Sequence, residues 1–326
     1  MVGTAVVALT HTAHLPAAQV ELIERARDYA AGAKADSTRH AYESDWRDFV
    51  GWCDSQGFEP LPATAAVVGL FMTDRAATLK PSTLGRRLAA ISVRHRQAGF
   101  HLDTRAPAIR DVLTGIRREK AKAGVVTVKK TAAVSDDIRA MVGTLADTPL
   151  GVRDRALLLL GFAGAFRRSE LVALDAADIA VRKEGLAVTI RRSKTDQEGE
   201  GRQVAICFGS DPATCPVRAV KAWLAMVGTG GPLFRGVNKG GAIGAGRMHP
   251  SSVALLVKRA AAAAGLDPAL YAGHSLRSGF ATTAARNGAS EAAIMRQTGH
   301  RSLTVLRGYI RAGGLFSDTA AAKLGL

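Results

Sequence analysis

The sequence is poor in cysteine, in aromatic residues and in acidic charge. Only three cysteines, Cys53, Cys207 and Cys215, occur in 326 residues. They are too few and too far apart for a disulfide framework or a zinc knuckle, so they read as reduced thiols of a cytosolic protein, with no metal site. No segment reaches the roughly 18 apolar residues needed to span a bilayer, and MVGTAVVALTHTAHLP lacks the basic flank of an export signal. The chain is therefore expected to be soluble and cytoplasmic, without a membrane partner. Repeats and low-complexity tracts are missing. GGAIGAG at 240–246 lacks both the preceding strand and the Lys-Ser/Thr pair of a P-loop and is expected to be a flexible loop.

Basic charge is what the chain has in plenty. Forty-four Lys and Arg stand against 28 Asp and Glu, a formal net charge of +16. The surplus is spread along the chain, as on a folded surface that faces a polyanion, and nucleic acid is the first candidate. With 47% hydrophobic residues, the chain is long enough for two domains with a core each, and disorder is excluded.

The first third has no strand signals. After an N-terminus expected to be flexible (1–17), five segments carry apolar residues three or four apart, with Ser, Thr or Pro at starts and Gly at several ends: PAAQVELIERARDYAAGAK, STRHAYESDWRDFVGWCDSQG, ATAAVVGLFMTDRAATLK, PSTLGRRLAAISVRHRQAG and APAIRDVLTGIRREKAKAG. They form an expected helical domain over 18–123. In the fourth, Leu84, Leu88 and Ile91 make the inward stripe, leaving Ser82, Arg86, Ala90 and Arg94 on the other side. Residues 124–134, with Gly124, Lys129 and Lys130, are expected to be a linker, either lying along a nucleic acid or simply solvated.

The second domain, 135–326, opens with helices SDDIRAMVGTL and RDRALLLLGFAGAFRRSELVAL; the run Leu157–Phe166 is apolar nearly all round and must be buried. DIAVRKE, LAVTIRRSK and RQVAICF, separated by turn residues, predict a small antiparallel sheet, and helices resume at CPVRAVKAWLAMV.

Four stretches carry possible chemistry. HSLR puts His274 and Arg277 on one helix face beside an N-terminus that favours an anion, on a helix ending near Asn287-Gly288. In GAFRRSEL, Arg167 and Arg168 follow a buried run, with Glu170 placed to orient Arg167; a plain structural salt bridge has the same signature. Lys194 sits where a strand gives way to a polar turn, where a solvated lysine is the simplest reading taken by itself. In TGHRSLTVLRGYIR, Tyr309 stands nine residues after His300, where a ring packed in a core is the simplest reading. Taken together they suit one reaction: attack of a phenolic oxygen on a phosphodiester, with cations neutralising the charge that grows on the non-bridging oxygens.

The order GAFRRSEL, RSKT, HSLR, TGH and GYI resembles the tyrosine recombinases, the lambda-integrase family, and the likeness to its Cre-like members extends to WRDFVGWC and VRHRQAGF in the first domain. The resemblance implies a mainly α protein with a small antiparallel β-sheet in the catalytic domain, a two-domain, C-shaped clamp on double-stranded DNA. It implies that Arg167 and Arg277 grip the scissile phosphate with Glu170 supporting Arg167, that Tyr309 is the nucleophile of a 3′-phosphotyrosyl link, and that Lys194 is general acid. His274 would be the acid/base partner, and His300 would bond the phosphate. It also implies inverted-repeat sites, a Holliday junction, a cyclic tetramer held by a C-terminal helix about 315–326, and a bacterial, phage or plasmid origin. Bond energy kept in the protein–DNA link leaves no need for a cofactor or metal. Arg168 stands where relatives often have an apolar residue. By position in the first domain, Arg39, His40, Arg86 and Arg87 are expected to contact DNA. Two rivals share parts of the pattern: a type IB topoisomerase, and a DNA-binding regulator without catalysis.

Overall fold

The structure, a computed structural model, describes residues 16–32, 36–124, 130–191, 201–299, 302, 303, 307 and 308. The chain divides into two compact units, residues 1–127 and 128–326.

The described part of the first unit is helical: α1 (Ala17–Gly32), α2 (Asp36–Gln56), α3 (Ala65–Ala76), α4 (Pro81–Gln97) and α5 (Pro107–Lys122). The Thr64 hydroxyl accepts from Val67 N at the start of α3, and Pro81 and Pro107 open their helices with the dihedral a first turn needs. Residues at helical spacing turn inward: Phe49, Trp52 and Cys53 of α2, Val68, Phe71 and Met72 of α3, Ile109, Leu113 and Ile116 of α5. Phe49 and Trp52 meet Phe71 edge-on at 5.0 and 5.4 Å, geometry that adds to area burial. On α4 the inward stripe is wider than the spacing predicts. Ala90 is buried with Leu84 and Ile91, because α4 packs on both α2 and α3. His95, also buried, takes Ala63 N–H on Nε2 at 2.8 Å and faces Ile91 O through Nδ1 at 2.8 Å, a core histidine with both nitrogens used.

The second unit is built around α7 (Pro149–Ala163), preceded by α6 (Ser135–Gly143). Leu157, Leu158, Leu159 and Leu160 are all buried, each contributing about 1.5–3 kcal/mol of transfer free energy. The helix expected over residues 153–174 is two helices. It stops at Gly164–Ala165, where Ala165 adopts φ 51°, and restarts as α8 (Arg168–Ala173). The Phe166 ring lies over the Gly164 Cα, where a Cβ would sit 2.2 Å from it. The break turns Arg167 and Arg168 out of the core.

Strands β1 (Ile179–Val181), β2 (Gly185–Ile190) and β3 (Arg202–Cys207) form an antiparallel sheet in that order, with Ile190 paired to Arg202. Leu186, Val188, Ile190, Val204 and Ile206 alternate into the core. Helix α9 (Pro216–Val227) packs on α7, and its Trp223 Nε1 donates to Leu233 O at 2.7 Å. The stretch 240–246, expected to be a loop, is instead half of a hairpin. β5 (Ile243–Arg247) pairs with β4 (Arg235–Val237), and Gly241 with φ 85° allows the turn. Helices α10 (Pro250–Ala263), α11 (Gly273–Arg286) and α12 (Glu291–Thr298) follow; Asn287 and Gly288 end α11 where the sequence places its cap.

Of the stretch read as linker, 130–134 belongs to the second unit. Thr131 N donates to Leu270 O at 2.8 Å and Ala133 N to Ser275 O at 2.9 Å, and Ala133 is fully buried. It lies against Gly279 of α11, where any Cβ would sit 1.8 Å from the Ala133 carbonyl oxygen. Among the described residues no helix is long and apolar enough to cross a membrane.

Candidate active site

Three segments far apart in sequence meet at one place. The α7–α8 break delivers Arg167, which is the N-cap of α8 and whose side chain is 19% exposed. Glu170, three residues on, is buried under it. Its Oε2 accepts from Arg167 N at 2.9 Å and its Oε1 from Arg167 Nη1 at 2.5 Å. The carboxylate thus caps the helix and aims the guanidinium in one gesture.

The first turns of α11 bring His274 and Arg277. Arg277 is buried, and its Nη1 donates to Ala165 O at 2.7 Å, directly at the break that presents Arg167. Burial, reinforced by the charges of Arg277, Arg167 and Arg168, pushes the His274 imidazole below its ordinary value. The bond from Arg277 to Ala165 O and the Arg168 stem against Gly273 bring the α7–α8 break and the start of α11 to one place. Arg168, exposed, runs its aliphatic stem across Gly273, where a Cβ would sit 2.3 Å from its Cδ. Both arginines of the RR pair therefore lie at the site, and Arg167 is the one oriented by Glu170.

Residues that sequence reasoning missed stand behind this group. Arg202, the first residue of β3, donates from Nη1 to Gln297 O at 3.0 Å and has Nη2 3.8 Å from Glu170 Oε2. Gln297 Nε2 donates to Ala163 O at 2.9 Å and Ala205 O at 3.1 Å, joining the end of α7 to β3. Arg191, just after β2, is held by Asp178 at 2.8 Å and Asp175 at 3.0 Å. A charge heading or closing a strand next to an acidic turn was the available signal; the partners of these two arginines, 13 to 95 residues away, carry none.

Lys194, His300 and Tyr309, and the tail residues about 315–326, lie outside the described residues. Arg307, two positions before Tyr309, pairs with Glu291 at the start of α12 at 3.1 and 3.3 Å.

In the first unit Arg39 and His40 are exposed on the first turn of α2, with Arg39 bonded to Asp36. Arg86, half exposed, grips the buried Asp45 carboxylate with both arms at 2.8 and 3.0 Å. Arg87 differs from its expected place on a groove-facing surface. Its side chain is 14% exposed, bonded to Asp48 and lying 5.9 Å from the Phe71 ring, because two carboxylates of α2 draw it inward.

The site so built is a group of arginines around one buried carboxylate and a histidine, suited to hold an anion while a proton moves. Residues 134–313 match the phage integrase family. The chain is 39% identical over 298 residues to an integrase/recombinase xerD homolog of Selenomonas ruminantium, covering 90% of this chain and 86% of that one. It is 30% identical to the tyrosine recombinase XerD of Xanthomonas axonopodis pv. citri, covering 90% and 93%. In fold it is similar to a lambda integrase(75-356) dimer bound to a COC′ core site, with a TM-score of 0.60 at 16% identity, over 87% of this chain and 92% of that one. Motif order, site geometry and these matches agree: the chain belongs to the phage integrase family and is a tyrosine recombinase.

Proposed function

We propose that the protein cuts and rejoins double-stranded DNA at inverted-repeat sites through a covalent 3′-phosphotyrosyl intermediate. The Tyr309 oxygen attacks the scissile phosphorus and its proton passes to His274. As the bond from phosphorus to the 5′ oxygen breaks, Lys194 supplies the proton that oxygen takes. Arg167, Arg277 and His300 hold the non-bridging oxygens. The 5′ hydroxyl of a partner strand then reverses the steps, giving a Holliday junction within a cyclic tetramer whose protomers exchange the 315–326 segment. One phosphodiester is replaced by one phosphotyrosine ester, so no outside energy is consumed. The reading places this work in the cytoplasm of a bacterium, on chromosomal, phage or plasmid DNA.

The observation that carries this reading is that the α7–α8 break and the start of α11 bring Arg167, held by Glu170, and Arg277, bonded to Ala165 O, to one place with His274. Arginine offers permanently charged forks for phosphate oxygens, and an imidazole held below its ordinary value is ready to accept a phenolic proton. The test is a nicked suicide duplex from the flanking genome, incubated without added metal with wild type and Tyr309→Phe. A covalent adduct with the wild type alone is expected. Adduct with relaxation of any supercoiled plasmid would instead indicate a topoisomerase, and tight binding by both proteins without adduct a regulator.

A further inference from the structure

We propose that Arg202 is a positioning residue for strand cleavage: by joining the Glu170 carboxylate to the Gln297 carbonyl, it holds the Arg167 fork and the entry to the TGH segment in one geometry. This role rests on the cleavage chemistry proposed above.

Arg202 is set by the sheet, since its backbone, at the first residue of β3, pairs with Ile190, the last residue of β2. Its guanidinium then reaches two segments far apart in the chain. Toward α8 it lies against the carboxylate that orients Arg167. Toward α12 it bonds the carbonyl two residues before Gly299. Gly299 ends α12 with φ 65°, and a Cβ there would sit 3.2 Å from Arg202 Nε and 3.3 Å from Cζ. The chain therefore leaves α12 at Gly299 directly over the guanidinium, and a left-handed glycine is what lets it pass so close.

Charge gives the second reason. Glu170 is a single carboxylate, 1% exposed, facing the guanidinium groups of both Arg167 and Arg202. The group carries one net positive charge, available to an incoming phosphate; without Arg202 it is neutral. Burial pulls the Arg202 guanidinium down from its ordinary value, Glu170 raises it and Arg167 lowers it again. It remains protonated, since guanidinium does not titrate in proteins. A salt bridge that merely held the fold would need neither the Gln297 carbonyl nor the fit beneath Gly299.

The test measures single-turnover adduct formation by wild type, Arg202→Gln and Arg202→Lys on the nicked suicide duplex, with melting and duplex affinity measured in parallel. A second duplex carries sulfur in place of the scissile 5′ oxygen, a leaving group that needs no proton from Lys194. Arg202→Gln is expected to melt cooperatively and to bind the duplex within about threefold of wild type. Its adduct should form about 100-fold more slowly on both duplexes. Arg202→Lys should recover about tenfold of this, since it restores the charge but not the fork. The proposal is overturned by a wild-type rate in Arg202→Gln, or by rescue with the sulfur duplex, which would tie Arg202 to proton donation by Lys194 instead. Should Arg202→Gln fail to fold, Arg202→Lys decides: a wild-type rate overturns the role, and a rate about tenfold down on both duplexes supports it. No adduct from the wild type itself would sink the cleavage chemistry, and this role with it.

Discussion

Arg277, buried in α11, donates to the carbonyl of Ala165, a residue held at φ 51°. A side chain of the site is thus spent on stabilising the backbone break that presents Arg167. An alanine in the left-handed region costs about 1–2 kcal/mol, so this corner is kept under strain by its surroundings. Ala165→Gly should relieve the strain and leave stability within about 1 kcal/mol of wild type. Ala165→Val, β-branched and fully buried, should lose more than about 2 kcal/mol. Urea denaturation of the three proteins checks both.

Glu170→Gln removes the one carboxylate between Arg167 and Arg202. Breaking a buried pair by deleting one partner costs about 3–5 kcal/mol; with Arg167 part-exposed the expected loss is near the lower end. The amide still accepts from Arg167 N but no longer neutralises the two guanidinium groups. The melting midpoint should therefore fall, and single-turnover adduct formation should slow by at least about tenfold, in keeping with a lost charge-assisted orientation. Unchanged adduct formation in the folded variant would argue against orientation of Arg167 by Glu170.

His274 gives the protein a pH signature. Its folded value lies below the ordinary one of about 6.5, so as pH falls the unfolded chain takes up this proton first. The stability it contributes is complete above about pH 6.5 and is lost as pH drops toward the folded value. Wild type should lose more stability than His274→Gln between about pH 7 and pH 5.5, measured by urea denaturation. Binding of duplex DNA, which brings a phosphate to the surrounding arginines, should raise the His274 value, seen by NMR titration of the ring.

Two arginines of the first unit should separate cleanly. Arg39→Ala, at an exposed position, should leave melting unchanged, weaken duplex binding and reduce the slope of log affinity against log salt by about 1. Arg87→Ala leaves Asp48 and the buried Asp45 short of a partner and should cost about 1–3 kcal/mol of stability. Calorimetry and salt-dependent binding distinguish the two; a large melting shift in Arg39→Ala would contradict the placement.

Much of this was legible in the sequence because it is local. Period and caps marked the helices, alternation marked β2 and β3, and HSLR and RRSE fix neighbours three residues apart on a turn. What was not legible depends on partners distant in the chain. The left-handed Ala165 has no glycine to announce it and exists because Phe166 and Arg277 hold the corner. GGAIGAG becomes a strand only because Arg235–Val237 lies alongside. Arg87 looks like any surface arginine until Asp45 and Asp48 of another helix claim it. Arg202 reads as a strand residue, and its two partners lie 32 and 95 positions away.

The strapping of residues 130–134 onto α11 has a practical side. Thr131 and Ala133 bond to Leu270 and Ser275, on either side of the start of the helix that carries His274 and Arg277. A fragment cut at Ser135, where α6 begins, would keep every described helix and strand of the second unit yet uncover Gly279 and loosen that helix start. The boundary for a self-sufficient catalytic fragment therefore lies no later than Lys130, five residues upstream of where the regular structure begins.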